Sequence, residues 1–240
     1  MTRRHSSDDF ESSDELHYRL LNHIPFYRFP NNCILTLIMQ FIGDEIYHVY
    51  NRGNNKQPIF FNRENYLFFL SKIRKELIPY CNLISYCLMP NHFHLEVCIK
   101  SSKSPHQMIS SHPINKSFSD GLAVLLRSYT RAIQKQERIT GSLFQQKTKA
   151  RLLSGGGTNE TMNDILICMN YIHQNPLKAK LVKSIHEWEF SSYRDYANLR
   201  SGTLCNKKLG FELTGLRENS FIEESHEMTK DYFILIESQQ

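Results

Sequence analysis

The stretch from Leu88 to Ile99 constrains this chain more than any other. Phe93, Leu95, Val97 and Ile99 alternate with His92, His94, Glu96 and Cys98, which is the period of a half-buried strand. That period puts both imidazoles of the one His-x-His in the chain on a single face. Two neutral imidazoles side by side on a rigid strand begin a metal site, and they need a third ligand from elsewhere. The same pair also suits a strand with two surface histidines, so the decision falls to the rest of the chain.

The neighbouring segments read as alternating strands and helices. Glu45 to Arg52 is rich in strand formers and ends at the turn signal Gly53-Asn54-Asn55. Asn62 has the character of an N-cap, and Tyr66, Phe69, Leu70, Ile73 and Leu77 follow at helical spacing up to Pro79. Asn82 to Leu88 predicts a second strand, joined to the histidine strand by a hairpin through Pro90-Asn91. Asp120 to Arg138 predicts an amphipathic helix with an apolar stripe of Leu122, Leu125, Leu126, Tyr129 and Ile133. Leu143 to Leu153 predicts a fourth strand. After Gly155-Gly156-Gly157, Thr161 and Asp164 suggest a capping box for a last helix ending at Pro176. The expected fold class is therefore α+β: a ferredoxin-like βαββαβ antiparallel sheet with an extra helix.

Around this core, residues 1–44 read as a loosely ordered extension and 101–118 as a polar loop or insertion. Met39, just before the first strand, is a candidate translation start. Residues 201–240 read as an acidic tail.

The net charge of +5 is unevenly placed. Between Asp120 and Arg151 stand Arg127, Arg131, Lys135, Arg138, Lys147, Lys149 and Arg151, against only Asp120 and Glu137. From Phe211 onward two basic residues face seven acids. The basic middle points to a polyanion, and the one-signed stripe Arg127, Arg131, Lys135 and Arg138 favours phosphate over a merely solvated face. The six cysteines form no Cys-x-x-Cys, which argues against a zinc ribbon and suits a reducing cytoplasm. The longest apolar run, Cys33 to Ile42, is too short to cross a bilayer.

In the last helix the expected core stripe is Met162, Ile165, Leu166, Met169 and Ile172. Tyr171 falls well off that stripe, and Asn175, four residues on, shares its face. By itself the pair also suits a surface tyrosine and an ordinary helix-end amide.

Five patterns in order now bear on a family: Tyr47-His48-Val49 with Arg52-Gly53-Asn54; Met89-Pro90-Asn91-His92-Phe93-His94; Gly141-x-Leu143-Phe144-Gln145; Tyr171-Ile172-x-x-Asn175-Pro176-x-x-Ala179; and Trp188 with Ser191-Ser192-Tyr193. Together they resemble the single-tyrosine HUH transposases, and within them the REP-associated tyrosine transposases. The resemblance runs from about Ile46 to about Tyr196, so it covers the expected domain at 45–200.

The resemblance implies that His92, His94 and Asn175 bind a divalent metal, Mg²⁺ or Mn²⁺, and that Tyr171 is the catalytic nucleophile. It implies cutting and rejoining of single-stranded DNA through a 5′-phosphotyrosine, at palindromic hairpins, by a cytoplasmic, DNA-associated protein. Glu96, on the histidine face, is a candidate supporting group or alternative ligand. Arg127, Arg131, Lys135, Arg138, Lys147, Lys149 and Arg151 are the candidate DNA-binding residues. The triglycine could let the tyrosine helix move or dock on a second subunit, which makes a homodimer an expectation. Tyr129, among arginines, is the rival nucleophile, set aside because it lies on an apolar stripe. Two other classes fit in part. One is a nucleic-acid-binding module of the RNA-recognition kind, although histidines stand where such modules carry aromatics. The other is a catalytically silent or domesticated binder of DNA hairpins.

Overall fold

The computed structural model describes residues 41–101, 117–154 and 158–228. The expected extension up to residue 40, the candidate start at Met39, most of the loop at 101–118, the triglycine and residues 229–240 lie outside them.

The histidine strand β3 (His92–Ile99) is paired on both sides. On one edge it meets β2 (Cys81–Met89) in a hairpin closed by Pro90 and Asn91, with Met89 opposite His92. On the other it meets β1 (Ile46–Arg52), and the edge strand β4 (Lys149–Leu152) pairs with β1. The order is β2-β3-β1-β4 with every pair antiparallel, the ferredoxin-like arrangement. The period of β3 decides what each face of the sheet holds. Phe93, Leu95 and Val97 are fully buried on one face with Tyr47 and Val49, each contributing roughly 1.5–3 kcal/mol of burial.

Two helices cover that apolar face. α1 (Arg63–Glu76) starts at Asn62, whose side chain accepts from the Asn65 amide, and buries Phe69 and Ile73. α2 (Phe118–Glu137) starts at Ser117, which forms a reciprocal capping box with Asp120, and buries Leu122, Leu125, Tyr129 and Ile133. That cap places the start of the helix earlier than Asp120.

α3 (Thr158–Lys178), the tyrosine helix, covers the other face. It begins before Thr161, so Thr161 and Asp164 stand within it rather than at its boundary, and it runs through Pro176. Proline removes only its own N–H from the ladder, and the Ala179 amide still reaches the Asn175 carbonyl at 3.0 Å.

The fourth strand is shorter than the apolar run from Leu143 suggests. Leu143 and Phe144 turn into the core instead, with the Phe144 ring 6.1 Å from both Phe93 and Tyr129. The packed domain also continues beyond residue 200. After α4 (Tyr193–Tyr196) come α5 (Lys207–Thr214) and a helix over 221–228, and Tyr193, Tyr196 and Phe221 bury against Ile84 and Met169. Arg200 fastens this layer. It donates to both Asp195 carboxylate oxygens (2.7 and 2.8 Å) and to the Tyr86 hydroxyl (2.9 Å). No described helix is long and apolar enough to cross a membrane.

Candidate active site

β3 turns His92, His94 and Glu96 toward α3, and β1 adds His48, Tyr50 and Arg52 on the same face. The register sets Arg52 opposite His92, Tyr50 opposite His94 and His48 opposite Glu96. The ring centroids of His92 and His94 are 4.9 Å apart, edge to face. Above them, the Tyr171 ring stands 5.4 Å from His94 and 6.0 Å from His48, edge-on to both. The fold thus brings together the two histidines and the tyrosine that lie some 80 residues apart in the chain.

Tyr171 is not on a solvent-facing side of its helix, contrary to the expectation of a single core stripe. α3 is buried along two lines. Ile165, Cys168 and Ile172 meet the sheet, while Met169 meets the C-terminal helices. This broad buried arc brings Tyr171 to its edge, half-buried and facing the imidazoles.

Both histidines of β3 have their Nδ1 engaged. His92 Nδ1 lies 2.6 Å from Asn91 Oδ1, while Asn91 Nδ2 donates to the Lys56 carbonyl at 3.2 Å. An amide oxygen only accepts, so His92 Nδ1 carries the proton and the neutral ring keeps its lone pair on Nε2. His94 Nδ1 is engaged by His48 Nε2 at 2.9 Å. The Asn175 side chain donates from Nδ2 to the Tyr171 carbonyl at 2.8 Å, so its acceptor atom is the amide oxygen. Among the described residues no three His, Cys, Asp or Glu side chains gather as a metal cluster. The candidate donors that remain are two imidazoles and, one helical turn from Tyr171, one amide oxygen. Three such donors would leave coordination positions open for phosphate and water oxygens, unlike the four protein ligands of a closed zinc site.

Burial sets the charges. It pushes His48 down to about 3, helped by the Arg151 charge, and holds His94 well below the usual imidazole range, helped by His92, His48, Arg52 and Lys178. Both rings are neutral ligands or acceptors at pH 7. Glu96 is fully buried and pushed up to about 8, so it is a neutral acid at pH 7. It bonds Ser85 at 2.7 Å through one oxygen, and among the described residues no bond joins it to His92 or His94. Lys178 stands with its Nζ 5.1 Å from the Tyr171 ring centroid, and burial lowers it to about 7.

The basic residues divide between the two layers. Lys149 and Arg151 pair with Tyr50 and His48 across β4, on the histidine face. Lys149 sits over the Tyr50 ring at 5.8 Å, and Arg151 reaches Asp164 at 3.6 Å. Lys147 is exposed just before that strand. Arg127, Arg131, Lys135 and Arg138 are exposed on or at the end of α2, in the layer on the opposite side of the sheet. Tyr129 is fully buried there, its hydroxyl donating to the Ile59 carbonyl at 2.7 Å.

No family model matches the chain, and no curated protein does. Among solved structures it is similar to that of a REP-associated tyrosine transposase bound to a REP hairpin, with 14% identity and a TM-score of 0.49, covering 68% of this chain and 84% of that one.

Three site residues escaped the sequence reading: His48, Arg52 and Lys178. His48 and Arg52 had a signal, because they share the period-2 face of β1 and the ferredoxin-like order sets β1 beside β3, but the register that puts them opposite Glu96 and His92 is not written in the sequence. Lys178 follows Tyr171 by seven residues, two helical turns, and so lies on its face.

Proposed function

We propose that this protein cuts and rejoins single-stranded DNA with Tyr171 as the nucleophile and a divalent metal held by His92, His94 and Asn175. The observation that carries this reading is the Tyr171 ring standing edge-on over neutral His94 and His48, with Asn175 one turn further on the same helix face. The five sequence patterns support hairpin DNA as the substrate.

A phenol with an ordinary pKa near 10 is a weak nucleophile at pH 7 and needs a charged, oriented setting. When bound, the metal supplies polarisation of the scissile phosphate. The chain's own groups do the rest. α3 holds the Tyr171 ring over His94 and His48. Lys178, Arg52, Lys149 and Arg151 make the face positive, where the phosphate and the developing charge reside. The phenol oxygen bonds to phosphorus, the bond from phosphorus to the 3′ oxygen breaks, the phenol proton passes to solvent and the leaving oxygen takes one up. The products are a 5′-phosphotyrosine and a free 3′-OH, and attack by a second 3′-OH reverses the step. Glu96 serves as a buried neutral support beneath the site rather than as a ligand.

The test is a denaturing gel. The full chain with Mn²⁺ and labelled single-stranded hairpins from the DNA flanking its gene gives a denaturation-resistant adduct on the 5′-phosphate side. Tyr171→Phe gives none, and Tyr129→Phe keeps it. An adduct that survives in Tyr171→Phe overturns the reading, and binding without any adduct in the wild type supports the silent hairpin binder instead.

A further inference from the structure

His92 and His94 each have their Nδ1 held by a group that is neither a candidate ligand nor the candidate nucleophile, Asn91 for the first and His48 for the second. For His92 the partner is an amide oxygen, which can only accept, so its tautomer is settled. For His94 the partner is another imidazole, which can take either part. His48 comes from the neighbouring strand, is buried, stacks on Tyr50 at 4.7 Å and bonds nothing else besides the sheet ladder among the described residues. One proton lies between two neutral rings. If His48 Nε2 holds it, His94 must carry its own proton on Nε2, and an N–H then points at the site. If His94 Nδ1 holds it, Nε2 is a lone pair. The cations that bear on His94, Arg52 and Lys178, favour a lone pair over an N–H on its remaining nitrogen.

We propose that His48 is a positioning residue that accepts the Nδ1 proton of His94 and so holds Nε2 of His94 as the ligand atom. This rests on the reading of His94 as a metal ligand, and it makes β1 a part of the metal site through register alone.

The test uses the full chain with ¹⁵N-labelled histidine and no metal. Long-range ¹⁵N–¹H correlation spectra distinguish a protonated ring nitrogen from a bare one. Wild type is expected to show His94 protonated on Nδ1. His48→Leu is expected to give a mixture with a large Nε2–H share, and His48→Gln, whose side-chain oxygen can accept in the same place, to restore the wild-type form. Calorimetry with Mn²⁺ alone is expected to show His48→Leu binding about 10–100-fold more weakly and His48→Gln close to wild type. A wild-type His94 protonated on Nε2 overturns the inference, and so does a His48→Leu chain with unchanged tautomer or unchanged Mn²⁺ affinity. The wild-type spectrum decides even if His48→Leu fails to fold. A wild type that binds no Mn²⁺ overturns the metal reading of the site, while the tautomer spectra still decide the role of His48.

Discussion

Lys178 stands over the ring of Tyr171, its Nζ 5.1 Å from the ring centroid, two helical turns further along the same face of α3. In the proposed reaction this cation would hold the negative charge that gathers as the phenol attacks a phosphodiester. Lys178→Met should therefore lower the rate of adduct formation about 10–100-fold with little effect on DNA affinity. Burial brings the lysine down to about 7, so its charge is lost as pH rises through that value. Lys178→Arg, charged throughout, should keep its rate to higher pH than wild type. Rate–pH profiles of the three proteins check this, and a full rate in Lys178→Met would remove the lysine from the chemistry.

If the proposed function holds, His92→Ala or His94→Ala should abolish the adduct and leave most DNA binding, because the imidazoles would hold the metal while lysines and arginines would hold phosphates. Gel shift and adduct assay on the same hairpin measure the two separately. Undiminished nicking by the double variant would dismiss the metal site.

The two groups of basic residues lie on opposite sides of the sheet and should behave differently. With an oligonucleotide of about ten nucleotides, Lys149→Ala or Arg151→Ala should weaken binding and flatten the salt dependence by roughly 0.7 for each phosphate no longer neutralised. Arg127→Ala and Arg131→Ala should leave that short substrate untouched and matter only for longer DNA that reaches around to α2. Equal effects of both sets on the short substrate would place the DNA elsewhere.

Glu96 makes stability depend on pH. Its folded value, about 8, lies above the ordinary 4.5, so the folded state binds its proton more tightly than the unfolded chain does. That contribution is complete below about 4.5 and is lost as pH rises through about 8. Glu96→Gln keeps the shape and removes the titration. It should match wild type in urea unfolding at pH 5 and exceed it at pH 9 by about 2–4 kcal/mol. The buried histidines work the other way, losing stability as pH falls from 6.5 toward 3, and both proteins share that limb.

A Cβ added at Gly202 would come within 2.0 Å of the Asp195 carboxylate that Arg200 holds. Asp195 is buried and fixed by both guanidinium bonds, so it has little room to yield. Gly202→Ala should cost about 1–3 kcal/mol in urea unfolding. An unchanged midpoint would show that the segment after Arg200 relaxes freely.

Local regularities carried much of this protein openly in its sequence. The alternation at 93–99 determines a strand with both histidines on one face, because side chains on an extended chain alternate whatever surrounds them. Asn62 as an N-cap, the Pro90-Asn91 hairpin and the apolar stripe of α2 follow from equally short-range chemistry. The step of four from Tyr171 to Asn175 follows from helix geometry. Tertiary packing decided what depends on which elements meet. A further layer of helices from Tyr193 onward buries Met169 and widens the buried arc of α3. The pairing of β1 with β3 brought His48 to His94, 46 residues away, and Arg52 opposite His92. The side on which α2 docks separated its basic stripe from the residues it would serve. Register and docking side are settled by the sum of many weak apolar contacts between distant segments, and a sequence records such a sum in no single place.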